Sequence, residues 1–136
     1  MHVQRLDHVT INTYDLDATR RFYVDVIGLH NGERPPFAFP GLWLYIGQTA
    51  VIHVVGLSTD DDRLPGGGAV DHIAFRVDGL AAMRERLQRE NIAASEAVVP
   101  RTGDVQIFVH DPNGVRLELN FTASPAELRE ALGLRG

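Results

Sequence analysis

Apolar and polar residues alternate along many short segments of this chain, the pattern typical of half-buried β-strands. The segments are rich in β-branched and aromatic residues and are separated by glycine, proline, asparagine and aspartate. The predicted strands are residues 3–12, 42–46, 50–55, 70–77, about 95–99, 105–110 and 115–121, with an unclear strand near 30–34.

Two segments instead show helical spacing of their apolar residues. Asp15 can cap a helix over 16–26, and Asp78 can cap a second helix over 80–90 that Asn91 ends. Each predicted helix follows the first strand of its half of the chain and precedes the others.

The two halves of the chain resemble each other in sequence as well as in pattern. Residues 6–11 match residues 70–75, and the similarity continues into the helices that follow. Further matched positions are His8 with His72, His53 with Glu118, and segment 43–45 with segment 106–108. A duplication of one unit explains such a match. We therefore predict an α+β fold of two tandem βαβββ modules, which form a cup-shaped mixed sheet with helices on the outer face.

We expect one domain over residues 1–136, the size of a typical single domain. A Gly/Asp-rich linker should be solvated and mobile, and Ser124, Pro125 and Glu127 form a capping box that opens a last helix. The predicted parts are module 1 (about 3–56), the linker (57–69), module 2 (about 70–121) and the C-terminal helix (about 125–132).

Composition excludes several classes of function. The chain has no cysteine, which excludes disulfides, cysteine-ligated zinc, iron–sulfur clusters and thiol nucleophiles. Its formal net charge of −5 argues against a nucleic-acid partner. No apolar run is long enough to span a membrane and the N-terminus lacks an apolar signal segment, so we expect a cytoplasmic protein with no membrane partner. Its six histidines are the natural metal ligands.

Four residues of the types that bind metals fall on one face of the predicted sheet. Side chains alternate along a strand, and the wholly apolar face must be buried against helices. His8, His72 and Glu118 therefore project from the opposite face, and the repeat places His53 at the position of Glu118. A divalent cation satisfies three imidazoles and a carboxylate at once. We expect these four residues to line one cavity and bind one divalent metal ion per chain.

Four motifs make the chain recognisable. They are the segments 7–9 (DHV), 22–29 (FYVDVIGL), 71–75 (DHIAF) and 111–118 (DPNGVRLE). With them the chain resembles the vicinal oxygen chelate superfamily, which includes glyoxalase I, extradiol ring-cleaving dioxygenases, fosfomycin-resistance transferases, methylmalonyl-CoA epimerase and bleomycin-binding proteins. The resemblance implies paired βαβββ modules around a metal, a metal triad of His8, His72 and Glu118, and a homodimer.

The residue at position 53 bears on the reaction. The corresponding position is similar to a glutamate ligand in glyoxalase I and to a glutamine ligand in the epimerase, whereas extradiol dioxygenases carry an acid–base histidine. His53 therefore favours an Fe(II) ring-cleaving-type dioxygenase, with His53 and Glu118 as catalytic residues. The alternatives are a glyoxalase-like isomerase or lyase that uses Zn, Ni, Co or Mn, and a transferase or metal-dependent binding protein. His53 either completes the metal shell or acts as the acid–base catalyst beside it.

The substrate is expected to be a small molecule that chelates the metal through vicinal oxygens. Aromatic side chains on the cavity face suit a flat or apolar molecule, and an arginine can hold a carboxylate in a bidentate pair or brace Glu118. The predicted substrate-binding residues are Tyr45, Phe108, Arg76, Arg116 and His110. Trp43 lies on the same face by repeat alignment, although a role in the core or in an interface is equally open.

Overall fold

A computed structural model describes residues 1–61, 68–70, 72–99 and 102–133. The chain divides into two compact units, Met1–Gly66 and Gly67–Gly136. Each unit is one βαβββ module, so the predicted α+β fold of tandem modules is confirmed. Residues 62–67 of the predicted linker lie outside the described residues, as does Asp71 of the 71–75 motif.

Module 1 is a four-stranded mixed sheet with one helix. Its strands are β1 (Val9–Thr13), β2 (His30–Gly32), β3 (Gly41–Ile46) and β4 (Thr49–Gly56), in the spatial order β1-β4-β3-β2. β1 runs parallel to β4, whereas β3 is antiparallel to both β4 and β2. The chain passes from β1 through the helix to β2 at the opposite edge of the sheet, and this long connection allows β1 and β4 to be parallel.

The helix of module 1 begins where the sequence predicts. α1 (Leu16–Arg21) continues directly into a π-helical segment (Phe22–Ile27). Asp15 is the N-cap, and its side chain accepts a hydrogen bond from the Ala18 amide. The helical segment ends at Gly28, whose φ of 96° is left-handed and therefore suits glycine.

Module 2 repeats this topology. Its strands are β5 (Ile73–Arg76), β6 (Ser95–Val98), β7 (Val105–His110) and β8 (Arg116–Phe121), in the order β5-β8-β7-β6, and its helix is α2 (Leu80–Arg89). β5 is parallel to β8, and the other neighbours are antiparallel. A last helix, α3 (Pro125–Ala131), opens with the predicted capping box. No helix within the described residues is long and apolar enough to cross a membrane.

Three details of the prediction are wrong. The predicted strand 70–77 is shorter, because β5 spans only Ile73–Arg76, so His72 precedes its strand. The first strand starts at Val9 rather than at residue 3, so His8 precedes the strand instead of lying within it. Asp78 does not cap α2: the N-cap is Gly79, with a left-handed φ of 81° and no side-chain hydrogen bond. Asn91 does take the left-handed conformation after α2, with φ of 55°, in agreement with its predicted role.

Strand alternation separates a buried face from an open face in each module. In β3 and β4 the side chains of Leu42, Leu44, Ile52 and Val54 are buried, whereas their neighbours are only half-buried. The same alternation in β7 and β8 buries apolar residues only: Val105, Ile107, Val109, Leu117, Leu119 and Phe121. The other face of each sheet carries the polar and aromatic side chains that concern the site.

Candidate metal-binding site

In module 1 the predicted ligands His8 and His53 lie together in a ring stack. His53 is half-buried in β4, where its strand partners are Thr10 of β1 and Trp43 of β3. The Trp43 and His53 ring centroids are 3.9 Å apart with planes inclined by 11°. On the other side, the His8 and His53 centroids are 3.7 Å apart with planes inclined by 12°. The structure therefore brings these two imidazoles together although His8 lies outside β1.

A carboxylate orients the His8 ring. His8 Nδ1 is 2.8 Å from Asp7 Oδ1, and this hydrogen bond is the largest of the effects that hold the pKa of Asp7 below its ordinary value. A carboxylate partner on one ring nitrogen fixes the tautomer of a metal-binding histidine and raises the basicity of the other nitrogen. The arrangement leaves His8 Nε2 as the nitrogen that can bind a metal.

His53 favours the neutral imidazole. Burial lowers the pKa of its ring below the ordinary 6.5, and repulsion from the nearby His8 lowers it further. A neutral imidazole can accept a proton or bind a metal, whereas an imidazolium can do neither. Its environment therefore suits both of the roles predicted for His53.

Module 2 brings the other two predicted ligands together. Glu118 of β8 pairs with Ala74 of β5 and Phe108 of β7, and its side chain is largely buried. Its Oε1 lies 3.8 Å from His72 Nε2, longer than a hydrogen bond. The other oxygen, Oε2, accepts a hydrogen bond of 2.8 Å from Asn120 Nδ2.

Each module thus brings one pair of potential metal-ligand side chains close together. Imidazole nitrogen and carboxylate oxygen are the donors that first-row divalent metals accept. Two ligands about 2.1 Å from one ion lie roughly 3.0–3.4 Å apart in octahedral or tetrahedral geometry, so a small side-chain rotation fits His72 and Glu118 to an ion. Over residues 1–61, 68–70, 72–99 and 102–133, no three His, Asp or Glu side chains gather at a point that would hold an ion. His72 and Glu118 therefore fit a metal, whereas His8 and His53, whose ring planes are inclined by only 12°, would bind one ion together only if one ring turned out of the stack.

Aromatic and basic side chains lie on the same face of module 2 as Glu118. In module 2 the Arg116 guanidinium lies 4.4 Å from the Phe108 ring centroid, and Arg76 Nη2 lies 3.1 Å from Asp104 Oδ2. His110 is exposed at the end of β7, opposite Arg116. Arg76 therefore has a carboxylate partner within the protein, and the Arg116 guanidinium lies over the ring of Phe108, the strand partner of Glu118.

Tyr45 lies at a cleft on module 1 rather than beside the histidines. Its hydroxyl donates a hydrogen bond of 2.6 Å to the Glu33 carbonyl. The cleft has a volume of about 560 Å³ and is lined by Glu33, Arg34, Pro35, Trp43 and Tyr45. Trp43 links this cleft to the histidine stack.

Strand register corrects one detail of the repeat. The sequence alignment matches Trp43 with Gln106, but the structure pairs Trp43 with His53 and Phe108 with Glu118. Trp43 therefore occupies the position of Phe108, so each module sets an aromatic ring opposite a ligand residue. Asp7, Asn120 and the stacking role of Trp43 were not singled out from the sequence. The spacing of Asn120, two residues from Glu118 on the same strand, could have indicated it.

Comparison with known proteins identifies the family. The model of the Glyoxalase/Bleomycin resistance protein/Dioxygenase superfamily matches residues 5–119. The chain belongs to this superfamily, as the four motifs predict.

The chain is also similar to proteins of known name. It is 29% identical to Glyoxylase I 4 of Arabidopsis thaliana over 126 residues, which cover 88% of this chain and 71% of that protein. It is 30% identical to the mitochondrial methylmalonyl-CoA epimerase of Bos taurus over 130 residues, covering 85% and 73%. It is 29% identical to the lactoylglutathione lyase of Haemophilus influenzae over 118 residues, covering 82% and 87%.

Solved structures share the fold at lower identity. A glyoxalase family protein from Bacillus anthracis matches with a TM-score of 0.74 and 21% identity, over 90% of this chain and 98% of that one. The fosfomycin resistance protein of Listeria monocytogenes matches with a TM-score of 0.69 and 17% identity, over 93% and 99%. Members of this superfamily typically bind a divalent metal and small substrates.

Proposed function

We propose that this chain is a divalent-metal-dependent enzyme whose substrate chelates the metal through two adjacent oxygens. The ligands would be His8, His72 and Glu118, with His53 as a fourth ligand or as the acid–base group. The observation that carries the proposal is that each module holds a ligand pair at equivalent positions, a histidine just before its first strand beside a residue of its last strand: His8 with His53 and His72 with Glu118. One ion per chain would use both pairs, whether one chain or two chains supply them.

The reaction we favour is a proton transfer next to a carbonyl, as in an isomerase, epimerase or lyase. A bound divalent metal would polarise the chelating oxygens and so acidify the adjacent C–H or O–H group. His53 would take and return that proton, since burial lowers the pKa of its imidazole and keeps the ring neutral near pH 7. The named epimerase and lyase relatives support this class.

A ring-cleaving Fe(II) dioxygenase is the second candidate. The observation that favours it is the half-buried imidazole of His53 beside the proposed ligand His8, since the resemblance to extradiol dioxygenases implies an acid–base histidine at this position. The same observation fits a proton transfer, so the reaction itself must decide between the two.

Substrate contacts are proposed on the open face of each module. Phe108 and Trp43 would contact the flat part of the substrate, and Arg116 would hold an anionic group beside Glu118. Tyr45 would border the substrate from the cleft, whereas Arg76 and His110 would contact only its outer parts. We also propose that two copies of the chain form a homodimer.

The test is a metal-dependent activity screen on one protein preparation. Metal-free protein is reconstituted anaerobically with Fe(II) and, separately, with Ni, Zn, Co and Mn. Isomerisation of a thiohemiacetal or epimerisation of a 2-substituted malonyl thioester under argon supports the proton-transfer class. Oxygen consumption with a catechol, seen only with Fe(II), would reject the proton-transfer class and support the dioxygenase.

The variant His53→Ala separates the two roles of His53. A base would leave metal content unchanged and lower turnover by about 10²–10⁴-fold, the usual size of a general acid–base contribution. A ligand would show weaker metal binding in the same variant. A variant with wild-type metal content and wild-type turnover would remove His53 from the site.

A further inference from the structure

The two carboxylate oxygens of Glu118 have different partners. Asn120 Nδ2 donates a hydrogen bond of 2.8 Å to Oε2, while Oε1 lies toward His72 Nε2 at 3.8 Å. The Asn120 amide is itself held, because Gln106 Nε2 donates a hydrogen bond of 3.1 Å to Asn120 Oδ1. The three side chains form a directed row that ends on one oxygen of the carboxylate.

Strand geometry builds this row. Glu118 and Asn120 are two residues apart on β8 and therefore share its open face. Gln106 of β7 is the register partner of Asn120, so its side chain stands beside the amide on the same face. All three residues are half-buried, which makes each hydrogen bond harder for water to replace.

The repeat supplies an internal comparison. The pair Gln106 and Asn120 of module 2 corresponds in register to Gly41 and Val55 of module 1, next to His53. Glycine and valine cannot form such a row. The row therefore occurs in module 2, where the strand ligand is the carboxylate of Glu118 with two oxygens that could bind a metal. It does not occur in module 1, where the strand ligand is the imidazole of His53.

We propose that Asn120, held by Gln106, is a positioning residue that keeps Oε2 of Glu118 occupied and presents Oε1 alone to the metal. This inference rests on the proposed metal site. Rotation of the Glu118 carboxylate to bind the metal through both oxygens would break the hydrogen bond from Asn120. The row therefore favours monodentate binding by Glu118, which leaves a coordination position for the substrate. Outer partners of this kind typically contribute 10- to 100-fold to metal affinity.

The test measures Co(II) binding to the full chain, by calorimetry and by the visible absorption of the bound ion. We expect Asn120→Ala to weaken Co(II) binding by about 10- to 100-fold and to alter the spectrum, because the carboxylate is free to change its mode of binding. Gln106→Leu, a milder change further from the metal, should act in the same direction and less strongly. Asn12→Ala is the matched control, since Asn12 is a half-buried strand asparagine on the open face of module 1.

The double variant makes the test specific. If Gln106 acts only through Asn120, the double variant binds Co(II) no more weakly than Asn120→Ala alone, whereas independent structural losses would add. Wild-type affinity and spectrum in both single variants, or effects that add in the double variant, would overturn this inference while leaving the metal site in place. A wild-type protein that binds no Co(II) would overturn both proposals. Gln106→Leu decides the matter if Asn120→Ala fails to fold, as judged by circular dichroism.

Discussion

Asp7 allows a direct test of the proposed metal ligand His8, whose ring it contacts. The variant Asp7→Asn keeps an oxygen that can accept a hydrogen bond from His8 Nδ1 but removes the negative charge. A neutral amide fixes the imidazole less firmly and makes Nε2 less basic, so the affinity of the metal should fall.

The expected size follows from exposure. Loss of an outer partner costs about 10- to 100-fold in affinity, and the upper end belongs to buried pairs. The Asp7 side chain is 71% exposed and that of His8 is 36% exposed, so water replaces part of the interaction. We expect a loss near the lower end, about tenfold.

The assay is calorimetric titration of metal-free protein with Zn(II) or Co(II). Asp17→Asn is the matched control: the Asp17 side chain is 68% exposed, and its carboxylate accepts a hydrogen bond from Arg20 on α1. Asp17→Asn removes the same negative charge at a position away from the proposed metal ligands. Repetition in about 1 M salt screens long-range charge, so a loss that persists there reports the hydrogen-bonded contact itself. Equal affinities for both variants would refute the orienting role of Asp7.

The remaining predictions concern stability and assembly. Thr13 is fully buried, and its hydroxyl accepts hydrogen bonds from the Asp15 amide and the Thr19 hydroxyl. Thr13→Val should therefore lower the free energy of unfolding, measured in urea, by about 2 kcal/mol, the scale of a buried donor left without an acceptor. Thr13→Ser should retain most of the wild-type stability. Because the pKa of His53 is lowered in the folded state, the unfolded chain binds that proton more readily, so stability is lost as the pH falls through 6.5 and below. The melting temperature of the metal-free protein should therefore drop on acidification, and it should drop less in His53→Gln; an equal drop in both proteins would contradict this account. Light scattering should give the mass of a dimer, twice the chain mass of 15.0 kDa, and a mass near 15 kDa would exclude the dimer.

Element type and order could be predicted from the sequence because periodicity reports which face of a segment is buried. Strand ends could not. Alternation runs back to Val3, yet Val3 and Leu6 are exposed and the strand starts at Val9, where pairing with Ile52 of β4 begins. A strand exists only where a neighbour offers backbone hydrogen bonds, and the pattern of one segment does not show where its neighbour stops.

The candidate site, like the fold, could be predicted from the sequence only in part. The repeat indicated the residues that each module brings together, because the match between the halves is visible in the chain. Alternation accounts only for His53 and Glu118, since His8 and His72 precede their strands. The ring stack and the Asn120 hydrogen bond depend on strand register. The strand pairs Trp43–His53 and Phe108–Glu118 align Trp43 with Phe108. Such a register depends on contacts between strands rather than on the pattern of one strand, so Trp43 was aligned with the wrong residue of module 2.

The central claim is that His8, His72 and Glu118 bind one divalent metal ion. Calorimetric titration of metal-free protein with Co(II), run in parallel on the wild type and on His8→Ala, His72→Ala and Glu118→Ala, tests it most directly. The account predicts one ion per chain for the wild type and markedly weaker binding in each of the three variants, with folding unchanged by circular dichroism. Undiminished binding in all three variants, or no binding in the wild type, would contradict it.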